Sequence, residues 1–542
     1  MARDLKTDME TLRAILTFTQ NRDFDSAANL AQRTLADGFE HPMLLNVVAT
    51  RLEQDGNFEE SLRLLHRAVT IAPDDVGARN ALALCLQHLD RPAEALYHLD
   101  QILKNHPGLG FAHANKGNAL IALGFLGASK LSHLRALELE PGNLTATAAL
   151  ASIATHRGEY EEARQWAAQA LATAPGFPDA VLSLASSELA SGQYDSAETR
   201  LQQLIMDSRA GTQDRARATG LLGDVYDAEG RYLQAFDAFT TCNEALQKIY
   251  SRFANGTSVL TYSRALTAAM AGTKPDDWAM HLFAEVTPPD AHDHIFLIGF
   301  PRSGTTLLEV ILDGHPDVTS IEERELLADG VLQFLREPLN LAPLARVAER
   351  ELHPLREAYW EGVRNAGINI AGKVFIDKYP LNTLKLPLIA KLFPRAKILF
   401  AYRDPRDVVL SCFRRRFKMN PAMYELLTLS GAAALYDAVM SFADQVRPIL
   451  GLDWHSVCYE SLVTNVVQET RIICEFLGLE PVAGMDDFAD RVQEREQATP
   501  STAQLVRGLD RSSIESWRHY ATSLQEAMPT LKFWVEKLGY PP

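Results

Sequence analysis

A 34-residue period governs the first half of this chain. Phe24, Phe58, Pro92, Leu126, Tyr160 and Tyr194 follow one another at that interval, and Tyr232 comes 38 residues after the last. Two positions before each stand Arg22, Gly56, Asp90, Gly124, Gly158, Gly192 and Gly230, as expected of a turn between two helices. Three positions after each come Ala27, Ser61, Ala95, Ser129, Ala163, Ala197 and Ala235, small residues that let paired helices approach closely. Pro73, Pro107, Pro141 and Pro175 keep the same period and end the second helix of successive units, because proline cannot continue a helix. These positions predict about seven helical hairpins over roughly residues 8–270. No hairpin of this kind buries its apolar face alone, so neighbours stack into an α-solenoid with a concave surface.

A repeat of this length is tetratricopeptide-like. Such surfaces bind protein or peptide segments, so acceptor recruitment, homo-oligomerisation and plain scaffolding all fit it. At 542 residues the chain exceeds what one hydrophobic core usually serves. The stretch Ala271–His294, with Lys274-Pro275-Asp276-Asp277 and Pro288-Pro289-Asp290, breaks the helical period and is dense in turn formers. This predicts a repeat array over 1–275, a linker over 276–293 and a second domain over 294–542.

Charge and composition narrow the function. A formal charge of −16 disfavours generic nucleic-acid binding. No run approaches the roughly 18 uncharged apolar residues of a membrane-spanning helix, and the first residues lack the clean apolar core of a signal peptide. Five cysteines (Cys85, Cys242, Cys412, Cys458, Cys474) are scattered and never in CxxC spacing, which argues against a disulfide framework or a zinc site. A cytoplasmic location is expected.

The second domain opens on His294-Ile295-Phe296-Leu297-Ile298-Gly299-Phe300, an apolar run suited to a buried parallel strand. Pro301-Arg302-Ser303-Gly304-Thr305-Thr306 and a helical pattern follow. At a strand–loop–helix junction backbone N–H groups and the helix N-terminus converge on one point, which makes an anion site. Gly304 lets the backbone come close, and Ser303, Thr305 and Thr306 add hydroxyls. Gly299 and Gly304 have the spacing of GxxxxGK[ST], but Thr305 occupies the lysine position. Arg302 supplies the cation instead, which weakens a magnesium-dependent NTPase reading.

At this point the sequence resembles the sulfotransferase superfamily, in particular its tetratricopeptide-bearing and tyrosylprotein-sulfotransferase-like branch, from Ile295 to about Trp517. PRSGTTLLEVILDGHPDV is similar to that branch's 5′-phosphosulfate loop, and AYRDPRDVVLSCFRR to its 3′-phosphate motif. The resemblance implies a P-loop-like parallel-sheet α/β domain and 3′-phosphoadenosine 5′-phosphosulfate as co-substrate, with no metal. It places Arg403, Ser411 and Arg415 on the 3′-phosphate, Tyr459 near the nucleotide, and Ser501 and Arg507 on a late loop over the cofactor that Trp517 anchors. Arginine stands at 507 where the family usually has lysine. For Arg403, Asp404, Arg406 and Asp407 the plain alternative is an exposed helix start with surface ion pairs. A solvated face is the expectation for most of Arg414-Arg415-Arg416 and Lys418.

Sulfuryl transfer needs a base for the acceptor hydroxyl and cations for the leaving phosphate. Glu323, 21 residues after Arg302, matches the glutamate that acts as base in the tyrosylprotein branch, and Lys378 matches the lysine facing the departing phosphate. Arg302 and Ser501 complete the implied catalytic set. Where the branch shows EETR this chain reads EERE, so Glu325 stands in place of an arginine that helps fix acidic peptide acceptors. The acceptor is then a protein tyrosine, a glycan or a small molecule. The alternatives are a P-loop nucleotide kinase or NTPase, and a non-catalytic repeat adaptor with a degenerate α/β domain.

Overall fold

Each periodic residue begins a helix. A computed structural model describes residues 5–256, 258–278, 291–336, 339, 341–485 and 511–542. Within them the helices pair as Leu5–Gln20 with Phe24–Ala36, Pro42–Gln54 with Phe58–Ile71, Val76–His88 with Pro92–Asn105, and Gly110–Ala122 with Leu126–Leu139. Leu144–His156 with Tyr160–Thr173, Pro178–Ala190 with Tyr194–Met206, and Thr212–Ala228 with Tyr232–Ile249 complete seven hairpins.

The intervening turns demand a left-handed residue: Gly56, Gly124, Gly158, Gly192 and Gly230 have φ of +71° to +85°, and Arg22 and Asp90 adopt φ of +59° and +57° where glycine is missing. The seven small residues from Ala27 to Ala235 are all completely buried. Pro73, Pro107, Pro141 and Pro175 each stand two residues past the end of a second helix.

The chain divides into two compact units, residues 1–155 with 159–184, and residues 156–158 with 185–542. The first holds the early hairpins around alanine- and leucine-rich clusters such as Leu82, Leu86, Leu99 and Ile102. In the second, the last hairpin accompanies an α/β fold. Its five described strands are β1 (Asp293–Gly299), β2 (Val318–Glu322), β3 (Val374–Lys378), β4 (Lys397–Tyr402) and β5 (Asp453–Cys458). All pair in parallel, in the order β2-β3-β1-β4-β5.

The sheet is covered on both faces, and side-chain alternation sorts the layers. Ile295 and Leu297 of β1 and Val374 and Ile376 of β3 pack beneath the helix Thr305–Leu312 and against Ile473 and Leu477. His294 and Phe296 turn the other way, into an aromatic layer of Tyr359, Trp360, Phe375 and Phe393. Each fully buried apolar side chain of β1 stabilises the fold by roughly 1.5–3 kcal/mol. Among the described residues no helix is long and apolar enough to cross a membrane.

Candidate active site

Chain reversals place the site at the carboxyl end of β1. The chain leaves β1 for β2, returns to β3 beside it, then crosses to β4 on its other side, so a crevice opens above the strand ends where the winding changes side. The loop after β1 is built by conformations few residues tolerate. Gly299 has φ +157°, and a Cβ there would lie 2.4 Å from the Ala401 carbonyl oxygen of β4. Arg302 is left-handed at φ +71°. Gly304, at φ +94°, caps the helix Thr305–Leu312, and a Cβ on it would meet Tyr459 Cδ2 at 2.5 Å. Ser303, Thr305 and Thr306 are buried at this helix start, where the first N–H groups point out of the helix toward an anion.

Three guanidinium groups gather here. Arg302 Nε donates to Ser411 Oγ at 2.9 Å, which ties the loop after β1 to the helix Pro405–Arg414 after β4. Partial burial, and then the positive charges of Arg415 and Arg403, lower the Arg302 pKa to about 9. Arg403 stacks over the Tyr459 ring at 4.5 Å, donates to the Ser513 carbonyl, and lies 3.7 Å from Asp407. Its Nε is buried with no hydrogen-bond partner. The Tyr459 hydroxyl shares a 3.0 Å hydrogen bond with Ser513 Oγ. Mutually repelling cations around a glycine-lined helix start, one with an orphaned buried donor, suit an anionic ligand.

The alternative of an exposed helix start with surface ion pairs around Arg403 does not hold, since Arg403, Asp404, Arg406 and Asp407 are all buried. Asp404 and Arg406 form a buried pair at 2.8 Å, with Arg406 stacked 3.8 Å over Trp517. Asp407 accepts from Glu515 N, Trp517 N and Ser516 Oγ at 2.8–2.9 Å. These groups clamp residues 515–517 over the start of the helix Pro405–Arg414. The expected solvated face at Arg414 and Arg416 is likewise replaced: Arg414 pairs with Asp227 and Arg416 with Asp224.

One strand away, β3 delivers Lys378 beside the end of β2, in register with Glu322. Lys378 is completely buried, and its Nζ donates to Glu322 Oε1 at 2.8 Å and Glu323 Oε1 at 3.0 Å, with Glu309 Oε2 at 3.5 Å. Burial alone would lower its pKa, but Glu309, then Glu322 and Glu323, outweigh that and hold it above the ordinary lysine value. Glu323 has φ +46°, is exposed, and gives its own N–H to the Lys378 carbonyl at 2.8 Å. Glu325 sits on the rim with Lys385. Ser501 and Arg507 lie outside the described residues.

Sequence reasoning did not name Glu309, Ser320 or Ser513. Ser320 Oγ lies 2.9 Å from carboxylate oxygens of both Glu309 and Asp313. The available signal was strand alternation: Ser320, Glu322 and Lys378 share the sheet face that the Thr305–Leu312 helix covers. His315, just past the Thr305–Leu312 helix, bonds to Asp317 N and the Glu480 carbonyl.

Known proteins carry the same features. The sulfotransferase family profile matches residues 294–483, and tetratricopeptide repeat profiles match 52–115, 115–178 and 182–241. An uncharacterised Aquifex aeolicus protein is 26% identical over 75% of this chain, which spans about half (52%) of that relative's length. Protein-tyrosine sulfotransferase A of Caenorhabditis elegans is 25% identical over 54% of this chain and 80% of its own. A Caenorhabditis briggsae protein named for protein-tyrosine sulfotransferase is 30% identical over 41% of this chain and 80% of its own. With the glycine-rich loop after β1, the arginine-bearing helix start after β4 and the parallel sheet in place, the chain belongs to the sulfotransferase family, in a form that carries tetratricopeptide repeats ahead of the α/β domain.

Proposed function

We propose that this protein transfers a sulfuryl group from 3′-phosphoadenosine 5′-phosphosulfate to a hydroxyl of a protein tyrosine, a glycan or a small molecule. The observation that carries this reading is the convergence of Arg302, Arg403 and Arg415 on one side of the β1 end, with the Lys378–Glu323 pair on the other. Two neighbouring cationic sets with a base on the far side of the same strand end are what a nucleotide with 3′ and 5′ anions needs beside a reacting hydroxyl.

In this reading Ser303, Gly304, Thr305 and Thr306 hold the 5′ end together with Arg302. Arg403, Ser411 and Arg415 hold the 3′-phosphate, with Tyr459 beside the nucleotide. Glu323 accepts the proton of the acceptor hydroxyl, and its hydrogen bond to Lys378 fixes where that carboxylate points. Lys378 contributes positive charge at the end where the phosphate departs, and Ser501 and Arg507 are assigned to the cofactor by resemblance. The donor carries the activated sulfur; these side chains bind, orient and move one proton. The repeat array recruits a protein or peptide segment.

Calorimetric titration with 3′-phosphoadenosine 5′-phosphate, against ATP with magnesium, tests the reading. Tight binding without magnesium that Arg403→Ala weakens about tenfold or more is the expected result. Preference for ATP with magnesium, or no binding, overturns it in favour of a kinase-like or adaptor function.

A further inference from the structure

The last hairpin ends differently from the six before it. Eleven residues after each periodic position stand Leu35, Val69, Leu103, Leu137, Leu171 and Ile205, and then Asn243. The first five of these apolar residues pack into the clusters that join early hairpins. Asn243 is buried and donates from Nδ2 to the Phe413 carbonyl at 2.9 Å. It thereby satisfies one of the last carbonyls of the helix Pro405–Arg414, which has no partner inside that helix. Eight and five residues before Tyr232 stand Asp224 and Asp227; no other hairpin has carboxylates at both positions. These two aspartates take Arg416 and Arg414. Phe236 stacks on Phe413 at 5.3 Å.

Arg415, between the two paired arginines, has extended backbone (φ −89°, ψ 137°). Successive side chains of extended backbone point to opposite sides. Holding Arg414 and Arg416 on the hairpin side therefore turns Arg415 the other way, toward Arg302, whose pKa its charge lowers. A second link runs through the C-terminal segment: Tyr520 donates to Asp227, His519 stacks on Tyr232 at 4.4 Å, and a few residues upstream Ser513 bonds Tyr459 and Arg403. Both connections end on groups assigned to the 3′-phosphate.

We propose that the seventh hairpin is part of the donor-nucleotide site, with Asp224 and Asp227 as positioning residues that aim Arg415 and seat Ser513. This rests on the nucleotide assigned above and extends it to the repeat array, which then sets donor affinity as well as offering a docking surface.

The test uses the full-length protein and compares affinity for 3′-phosphoadenosine 5′-phosphate with that for adenosine 5′-phosphate. The ratio isolates the 3′-phosphate, which a general loss of fold would not single out. Asp224→Asn and Asp227→Asn should each lower the ratio about tenfold, a coupling of the size transmitted through packed networks. The exchanged pair Asp224→Arg with Arg416→Asp should recover most of it. An unchanged ratio in both single variants, or a parallel loss for both nucleotides without recovery in the exchanged pair, overturns the proposal. A wild-type protein that ignores the 3′-phosphate overturns the nucleotide assignment itself, and the proposal with it.

Discussion

Arg302 Nε and Ser411 Oγ lie 2.9 Å apart, one from the loop after β1 and the other from the helix after β4. The contact joins two segments 109 residues apart in sequence at one end of the sheet, the two proposed to hold the donor's phosphates. It also means that neither segment is independent of the other.

Removing either arginine of the site should weaken nucleotide binding. A hydrogen bond to a charged group is worth about 1.5–3 kcal/mol, or roughly tenfold to more than a hundredfold in affinity. Arg302→Ala and Arg403→Ala should each lose that much for 3′-phosphoadenosine 5′-phosphate by calorimetry. Arg403→Lys should recover little of it, since an ammonium offers no planar fork to stack over Tyr459.

Glu323 and Lys378 touch, yet their substitutions should separate. Glu323→Gln keeps the shape of an exposed side chain and should lower kcat by about 10²–10⁴-fold with nucleotide affinity little changed. Lys378→Met leaves Glu309 and Glu322 buried without their cation, a loss of about 3–5 kcal/mol that thermal unfolding would register together with lost turnover.

Buried Asp377 predicts a slope of stability with pH. Burial raises its pKa to about 7, against a hydrogen bond from Tyr359 at 2.8 Å that acts the other way. The folded protein then keeps a proton that the unfolded chain releases near pH 4. Stability from this group falls as pH rises from about 4 to about 7 and levels off above. Asp377→Asn should flatten that part of the profile in denaturant unfolding and gain most at pH 8; an unchanged slope would count against it.

The repeats should show their own constraints. Gly158 has φ +74° in its turn, and Gly158→Ala should cost about 1–2 kcal/mol by forcing a Cβ into left-handed backbone. Ala163 is completely buried between helices, and Ala163→Leu should cost about 1–3 kcal/mol through overpacking. Both are read from the midpoint of thermal or urea unfolding.

The repeat architecture and the phosphate loop were legible in order along the chain because both are local. A 34-residue period records how each hairpin must turn and pack, and Gly299 and Gly304 record where the backbone turns from strand to helix in conformations that favour glycine. Glu323, Lys378, Arg403 and Ser411 were named through motif resemblance; the fold sets Glu323, Lys378 and Arg403 at the ends of β2, β3 and β4, and Ser411 on the helix after β4. Their surroundings were not legible. Three glutamates in four residues look like a solvated surface, yet Glu322 and Glu323 bond a buried lysine above Glu309. A run of arginines looks solvated as well, yet two of them pair with aspartates about 190 residues earlier. Local periodicity and turn chemistry are properties of neighbouring residues, and the sequence by itself determined them. Which charges meet depends on strand order and on what the last hairpin packs against, and only the tertiary structure decided that.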